Sequence, residues 1–211
     1  EARHETQYDE PIRASGGDGN NAWTVSAGAL PTGLSLEPTT GLITGTTSVL
    51  GGFAFTASVT SGDGQTAQRA FDLQVTLAPS SRCSDFPDTA VAVFADSALD
   101  AAVRTAVGAG ASDDLTCSDL EGVTTLGLVE GATSAEGVQN LVDLTELYFV
   151  NGTIRDVSWI TGLTRLTRLW LNNHELSDID ALSGLTALEE LSVNGNQLTN
   201  LDAVSGMSGL A

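Results

Sequence analysis

Apolar residues recur every 22 positions in the C-terminal half of the chain. Leu147, Leu169 and Leu191 are in step, and five further sets of apolar residues keep the same spacing. A repeat of this length is typical of a leucine-rich solenoid, in which each coil gives one short strand to a curved sheet. The other sets are Leu144, Leu166, Leu188 and Leu210; Ile154, Leu176 and Leu198; Val157, Ile179 and Leu201; Ile160, Leu182 and Val204; and Leu163, Leu185 and Met207.

The strands of such a solenoid have a buried and an exposed side, because successive side chains point in opposite directions. If Leu147 and Phe149 face the core, the residues between and beside them face outward on the concave surface. The sequence therefore predicts a ligand-binding face on the concave side of the coils. Its candidate residues are Glu146, Tyr148, Val150, Arg168, Trp170, Asn172, Glu190, Ser192 and Asn194.

Two aromatic residues are prominent on this face. Tyr148 and Trp170 occupy equivalent positions on adjacent strands, which places them about 5 Å apart. Exposed aromatic pairs are typical binding hot spots, but they also stabilise sheets as cross-strand neighbours, and the sequence leaves both roles open. The position of Arg168 between Glu146 and Glu190 favours a surface ladder of charges over a clamp for a ligand.

The first coil is predicted to be one residue shorter than the others. Its core positions are Val123, Leu126 and Leu128, whose counterparts in the next coil are Leu144, Leu147 and Phe149. The alternation of side chains then gives this coil a shorter outward row of its own. That row is predicted to contain Thr125, Gly127 and Val129.

Residues 1–78 contain short stretches in which apolar and polar residues alternate. The stretches 23–25, 53–59 and 70–75 follow a period of two, which marks half-buried strands. Turn signals separate them, and the glycine-rich turn at 61–64 joins two strands as a hairpin. Several short strands with regular turns predict a β-sandwich.

A small helical cap is predicted between the sandwich and the coils. Residues 79–95 are assigned to a linker and residues 96–122 to the cap, and the repeats occupy 123–211. Asp96 or Ser97 caps the start of an amphipathic helix, because a side-chain oxygen there satisfies unpaired amides. A helical unit at this place covers the open apolar end of the first coil.

The two cysteines flank the predicted cap helix. Cys83 precedes it, and Cys117 lies in the turn that follows. In an exported protein an even pair favours a disulfide, which contributes roughly 3–4 kcal/mol for a loop of this length in the chain-entropy model. Two buried free thiols are an alternative, and a redox pair is disfavoured without a Cys-x-x-Cys arrangement.

The charge balance excludes some partners. Asp and Glu number 27 against 8 Arg, with no Lys, and the net charge is −19. Nucleic acids and anionic membrane surfaces require a cationic face, and no apolar stretch reaches the length of a membrane span. The acidity favours solubility over recognition of a basic partner.

Because no signal peptide is recognisable and the last coil has no cap, we expect a trimmed fragment of a longer protein.

Patterns for catalysis and metal binding are missing from the sequence. His4 and His174 lie far apart without ligand spacing, and no EF-hand pattern occurs, so neither a metal nor a cofactor is predicted. The sequence also has no phosphate-binding loop, nucleophile elbow or Ser–His–Asp arrangement. We therefore predict that this chain is not an enzyme.

Residues 8–77 carry a recognisable sequence pattern. It includes Gly-Ala-Leu-Pro-Thr-Gly-Leu-Ser-Leu at 28–36 and Thr-Gly-Leu-Ile-Thr-Gly-Thr at 40–46. This segment resembles the bacterial immunoglobulin-like He-PIG repeat, a cadherin-like module of surface proteins. One departure is Thr47, where the family usually has proline. The resemblance implies a stalk or spacer without catalysis.

The cap and coils at 96–211 carry a second pattern. It includes Leu-Thr-Cys-Ser-Asp-Leu at 115–120 and Leu-Thr-Arg-Leu-Trp-Leu-Asn-Asn at 166–173. This region resembles the internalin-like family of bacterial leucine-rich repeats, which implies an extracellular adhesive or ligand-binding role for the concave face. The position where the family carries an inward asparagine holds Gly152, His174 and Asn196. Because asparagine there bonds the backbone of adjacent turns, we expect looser turns.

These features predict a mainly β protein of the extracellular space or bacterial cell surface. It combines an Ig/cadherin-like β-sandwich, a helical cap and a C-terminally incomplete leucine-rich-repeat solenoid. The predicted function is recognition or adhesion, with a protein or glycan ligand on the concave face and the sandwich as spacer. The alternative is a structural subunit that self-associates into a surface layer, stalk or filament. A third hypothesis is that the modules accompany an enzyme domain outside this chain.

Overall fold

The computed structural model describes residues 1–210 and divides the chain into two compact units. The first unit is Glu1–Ala78, and the second begins at Pro79. Seven strands lie in the first unit and four in the second, and one α-helix is present within the described residues. The prediction of a mainly β fold is confirmed.

Seven strands form two facing sheets in the first unit. They are β1 (Ala2–Arg3), β2 (Gln7–Pro11), β3 (Ala22–Gly28), β4 (Leu34–Leu36), β5 (Leu42–Thr46), β6 (Gly51–Thr60) and β7 (Thr66–Thr76). One sheet has the order β1–β7–β6–β3 and the other the order β2–β5–β4. β6 and β7 form the predicted hairpin, in which the Ser61 amide donates to the Gln65 carbonyl at 2.8 Å.

The core of the first unit lies between these sheets. Phe55 and Phe71 stack at a centroid distance of 5.3 Å. Trp23 is buried against Gly41, where a side chain would lie 2.8 Å from the indole ring. The buried cluster consists of Ala2, Leu34, Ile43, Phe55, Ala57, Leu73 and Val75. The inward-facing half of each alternating stretch thus supplies the core.

The predicted cap helix is α1 (Ser97–Val107). Asp96 caps it by accepting hydrogen bonds from the amides of the first turn, and Gly108 ends it at a φ of 75°. The second oxygen of Asp96 accepts from the amide and the hydroxyl of Thr133, both at 2.9 Å. Although burial acts to raise it, these hydrogen bonds hold the pKa of Asp96 below its usual value. One carboxylate therefore joins the cap to the first coil.

Residues 79–95, which the sequence assigns to a linker, lie within the second unit. Val91 forms an antiparallel bridge with Thr116 of the cap. The predicted disulfide between Cys83 and Cys117 is present and joins this segment to the same turn. The segment is therefore an integral part of the cap.

Two buried amide side chains fix the start of this segment. Gln139 Nε2 donates to the carbonyl oxygens of Pro79 at 2.6 Å and Ser81 at 3.0 Å. Asn140 Oδ1 accepts from the Cys83 amide at 2.8 Å. Buried amides require such partners, so these contacts satisfy both side chains while they hold residues 79–83 on the solenoid.

The coils form a parallel sheet with short 3-10 helices on the opposite side. The strands are β8 (Val129–Glu130), β9 (Glu146–Val150), β10 (Arg168–Asn172) and β11 (Glu190–Ser192), which lie side by side in that order. The returning 3-10 helices are Val138–Asn140, Ser158–Gly162, Asp180–Gly184 and Asp202–Val204. Apolar residues of equal phase stack from coil to coil and are buried in the first three coils, which confirms the predicted solenoid. In the last coil the in-phase residue Leu201 is 52% exposed.

The strand of the first coil orients its side chains differently from the prediction. Thr125 pairs with Glu146 and Val129 pairs with Phe149, so this stretch of the first coil has one more residue than the stretch of β9 beside it. One additional residue in a strand reverses the alternation of side chains beyond it. Val129 is therefore buried and Leu128 is 59% exposed. The predictions of a buried Leu128 and an outward Val129 are wrong.

An aromatic pair lies in the core of the second coil. Ala132 and Ala135 occupy buried positions of the first coil at which the later coils carry larger aliphatic side chains. Phe149 and Trp159 occupy neighbouring space in an edge-to-face arrangement with a centroid distance of 5.8 Å. The Trp159 indole also donates to the Asp156 carbonyl at 2.8 Å. Large aromatic rings thus accompany small residues, as close packing requires.

Gly152 and His174 replace the inward asparagine in two coils. Asn196 makes the expected contacts, because its Nδ2 donates to the Leu171 carbonyl at 2.6 Å. His174 is buried, and neither ring nitrogen makes a hydrogen bond of ordinary geometry, although the carbonyls of Phe149 and Gly152 lie close enough to interact with the ring. A side chain at Gly152 would collide with the Ala132 carbonyl and the His174 ring. The small residue therefore makes room for the large one.

Backbone hydrogen bonds join successive coils beside these three positions. They run from Thr153 to Ala132, from Glu175 to Ile154 and from Gln197 to Leu176, with lengths of 2.8 to 3.1 Å. The coils that lack asparagine keep these bonds as well. These backbone bonds do not depend on the asparagine, and looser turns stay a prediction.

We expect Gly152→Ala to lower the free energy of unfolding by about 1–3 kcal/mol, because the new methyl group must displace the Ala132 carbonyl or the His174 ring. Gly184→Ala is the matched control, since the space around Gly184 is open, and its effect should remain within about 0.5 kcal/mol. Urea unfolding followed by tryptophan fluorescence measures both variants. Equal effects would contradict the proposed packing.

His174 should make the stability of the solenoid depend on pH. Burial lowers the pKa of His174, and the carbonyls of Phe149 and Gly152 oppose this shift in part. The unfolded chain therefore binds the proton more readily than the folded chain, and stability falls as the pH drops below the unfolded pKa of about 6.5.

His174→Gln removes this titration and leaves the carboxylates unchanged. The free energy of unfolding of the wild type, minus that of the variant, should decrease between about pH 7.5 and about pH 5.5. Urea unfolding of both proteins at the two pH values measures this difference. A difference that stays constant would mean that His174 does not titrate as described.

Candidate functional site

The outward side chains of β9, β10 and β11 form a continuous face, which we call the sheet face. Their neighbours in β9 and β10 are buried and Leu191 in β11 is partly buried, so the strands orient these residues as the alternation predicts. The parallel register places residues one repeat apart side by side. The sheet face contains Glu146, Tyr148, Val150, Arg168, Trp170, Asn172, Glu190 and Ser192.

Tyr148 and Trp170 are direct neighbours on the sheet face, which confirms their predicted pairing. Their ring centroids are 5.1 Å apart, and the ring planes meet at 74°. The Tyr148 hydroxyl donates to Glu146 at 2.9 Å, and the Trp170 indole donates to Glu190 at 2.7 Å. Trp170 keeps 36% of its surface exposed. Each ring is thus fixed by a carboxylate while an apolar surface remains open.

Arg168 lies between two carboxylates on adjacent strands. Its Nη1 is 2.7 Å from Glu146 Oε1, and its Nε is 3.6 Å from Glu190 Oε2. Glu146 is the main cause of the raised pKa of Arg168. Burial, followed by the hydrogen bond to Glu146, raises the pKa of Tyr148. The structure therefore has the charge ladder that the sequence favours, and the ladder positions the aromatic pair.

A third row is formed by Val150 and Asn172 on the sheet face and by Asn194 just beyond it. Asn172 Oδ1 accepts from the Ser192 hydroxyl at 2.8 Å and from the Asn194 amide at 2.9 Å. β11 ends at Ser192, so Asn194 lies in the turn beyond the strand and is exposed. Asn172 nevertheless holds it beside the other candidate residues.

Asn151 and Asn173 form a polar border beside this row, and neither is among the candidate residues. Asn151 and Asn173 follow their strands with positive φ angles of 55° and 56°. Asn173 Nδ2 donates to Asn151 Oδ1 at 2.8 Å, and Asn151 Nδ2 donates to Glu130 at 3.1 Å. The signal for this border was the spacing of one repeat between two asparagines, a residue type that tolerates left-handed backbone.

The sheet face offers an apolar centre within fixed polar groups. Its carboxylates exceed its single cation, so its local charge is negative, in keeping with the acidic chain. The described residues contain no group of three or more acidic, cysteine or histidine side chains arranged to hold a metal ion. Within 1–210, no helix has the length and apolar character of a membrane span.

Comparison with protein families finds matches in both units. Residues 1–76 match the family described as "Putative Ig domain", and residues 164–206 match "Leucine Rich repeats (2 copies)". The two resemblances that the sequence indicates are therefore confirmed. A comparison with curated proteins gives no match for this chain.

Two solved structures from Listeria monocytogenes are similar to this chain. An internalin C2 shares 34% sequence identity with a TM-score of 0.52, over 55% of this chain and 52% of its own. A second internalin, inlF, shares 28% identity with a TM-score of 0.51, over 56% of this chain and 35% of its own. The match spans about half of the first relative and about a third of the second.

Proposed function

We propose that this chain, in which an immunoglobulin-like domain precedes internalin-like leucine-rich repeats, is an extracellular recognition or adhesion module. The sheet face binds a protein or glycan ligand, and the β-sandwich is a spacer. The proposed ligand-binding residues are Glu146, Tyr148, Val150, Arg168, Trp170, Asn172, Glu190, Ser192 and Asn194. No reaction is assigned to the chain.

The exposed pair of Tyr148 and Trp170 is the observation that carries this proposal. Large aromatic side chains with a partly open apolar surface are enriched among the residues that dominate binding energy. The pair lies at the centre of the sheet face, with charged residues on one side and the asparagine row on the other. This arrangement has the apolar centre and polar rim of a recognition surface.

Preorganisation supports the same proposal. The carboxylates of Glu146 and Glu190 hold both aromatic rings and Arg168, so these side chains lose little conformational freedom when a ligand binds. The same contacts have a cost, because a ligand must leave these charged groups either hydrated or paired. Polar and charged neighbours of the aromatic pair therefore determine specificity more than affinity.

Secretion or display at a bacterial cell surface is part of the proposal. Disulfides persist in oxidising compartments, and this chain contains one between Cys83 and Cys117. The similarity to two internalins supports the same location.

The Tyr148→Ala/Trp170→Ala variant should lose binding by at least about tenfold, because the double substitution removes the apolar centre. The probes are arrays of glycans and extracts of cell-surface proteins, applied to the immobilised chain. Val142→Ala/Leu201→Ala is the matched control, since both of its residues are exposed and apolar but lie outside the sheet face. Ligands retained by the wild type and the control but not by the first variant would support the proposal.

Equal capture by all three proteins would refute the assignment of the ligand to the sheet face. Arg168→Gln tests the charge ladder separately. If Arg168 only orders the aromatic pair, this variant should reduce binding less than the double aromatic variant does. A larger loss would make Arg168 a direct ligand contact.

A further inference from the structure

The additional residue of the first coil forms a β-bulge beside Tyr148. Leu126 and Val129 of this coil face the core. Between them lie Gly127 and Leu128, which together take the place beside the single residue Tyr148 of β9. Bulges re-aim the side chains of a strand, and they are frequent next to functional sites. The bulge is therefore the reason why Leu128 points away from the core.

Leu128 extends the apolar centre of the sheet face by one coil. It is 59% exposed and lies beside Tyr148, whose neighbour on the other side is Trp170. The next residue in this row is the polar Ser192 of β11. Single exposed apolar side chains are common on protein surfaces, but contiguous ones mark interaction sites. Three apolar side chains on three successive coils therefore form one patch.

Gly127 leaves open space beside this patch. A methyl group at Gly127 would meet nothing within 4 Å beyond its own chain neighbours. The φ angle of Gly127 lies outside the left-handed region, so the backbone conformation does not require glycine at this position. The open space lies next to both Leu128 and Tyr148. It gives a side chain of a ligand access to the flanks of these two residues.

Carboxylates lie on both sides of the patch. On one side are Glu146 and Glu190, and Arg168 between them offsets one of the two negative charges. On the other side Glu130 is exposed, and its carboxylate accepts a hydrogen bond from the neutral side chain of Asn151 at 3.1 Å. The rim of the patch is therefore negative. A surface that complements it carries cationic groups around an apolar centre.

We propose that Leu128 is a specificity-determining residue of the sheet face, an inference that rests on the function proposed above. The ligand is a protein that places an apolar side chain in the open space between Leu128 and Tyr148. Its arginine or lysine side chains lie opposite Glu130 and Glu190. A glycan fits this patch less well, because sugar hydroxyl groups packed against Leu128 would lose water without gaining a hydrogen bond.

The probe is a phage-displayed library of random cyclic peptides, selected on the immobilised full chain and then synthesised for affinity measurements. Cyclic peptides lose little conformational freedom on binding. We expect the selected peptides to combine a large apolar residue with arginine or lysine. Leu128→Ala should weaken their binding about tenfold. Val142→Ala is the matched control and should bind as the wild type does, since Val142 is exposed and apolar but lies outside the sheet face.

A substitution at Gly127 tests the open space from the protein side. Gly127→Gln fills it and should weaken binding of the same peptides at least about tenfold. Gly184→Gln is the matched control, because the space around Gly184 is also open but lies on the 3-10 helix side of the coils. Both variants should keep the stability of the wild type, which urea unfolding verifies. The position of Leu128 is tested by nuclear Overhauser contacts between its methyl groups and the Tyr148 ring.

Four results would overturn the proposal. These are the absence of contacts between Leu128 and Tyr148, selection of no peptide that binds saturably, selected peptides without basic residues, and unchanged binding by Leu128→Ala. If the Tyr148→Ala/Trp170→Ala variant nevertheless loses its ligand, the proposed function stands without this inference. A ligand found only among glycans would likewise refute the protein partner alone. Ligand binding that survives the double aromatic substitution would refute the sheet face itself.

Discussion

The stacking of coils on one another is the constraint on which the second unit depends. A single coil cannot bury its own apolar edge, so each coil is stable only with a neighbour whose residues repeat in phase. Leu147 and Leu169 stack in the core, and the same register places Tyr148 beside Trp170 on the outside. The geometry of the sheet face is therefore a consequence of core packing, and the ladder of carboxylates refines it.

Conservation of volume is the second constraint, and it operates between coils rather than within them. The small Ala132 and Ala135 accompany the large Phe149 and Trp159, and Gly152 accompanies His174. The ring of His174 occupies space that Gly152 of the preceding coil leaves open. Interiors tolerate neither voids nor overlap, so such residues form units that cannot be exchanged singly.

The constant repeat period made the coils, the sheet face and the contact of Tyr148 with Trp170 predictable, because parallel stacking converts sequence spacing directly into distance. The first coil was predicted wrongly at Leu128 and Val129, since a single additional residue reverses the alternation of a strand and leaves no trace in composition. The pairing of β1 with β7 was not predictable either, because it joins strands that are far apart in the sequence and the local pattern does not encode this choice.

The shared carboxylate of Asp96 has a consequence for the order of folding. Because it caps α1 and also binds Thr133, separation of the helix from the first coil leaves the donors of Thr133 and one carboxylate oxygen of Asp96 without partners. At the same end, the disulfide and the buried amides of Gln139 and Asn140 join the segment 79–83 to residues that are distant in the sequence. A repeat array can nucleate at any coil, but here the greatest cooperativity lies at the cap. The helix, the disulfide-linked segment and the first coil therefore form one cooperative unit that orders this end of the solenoid.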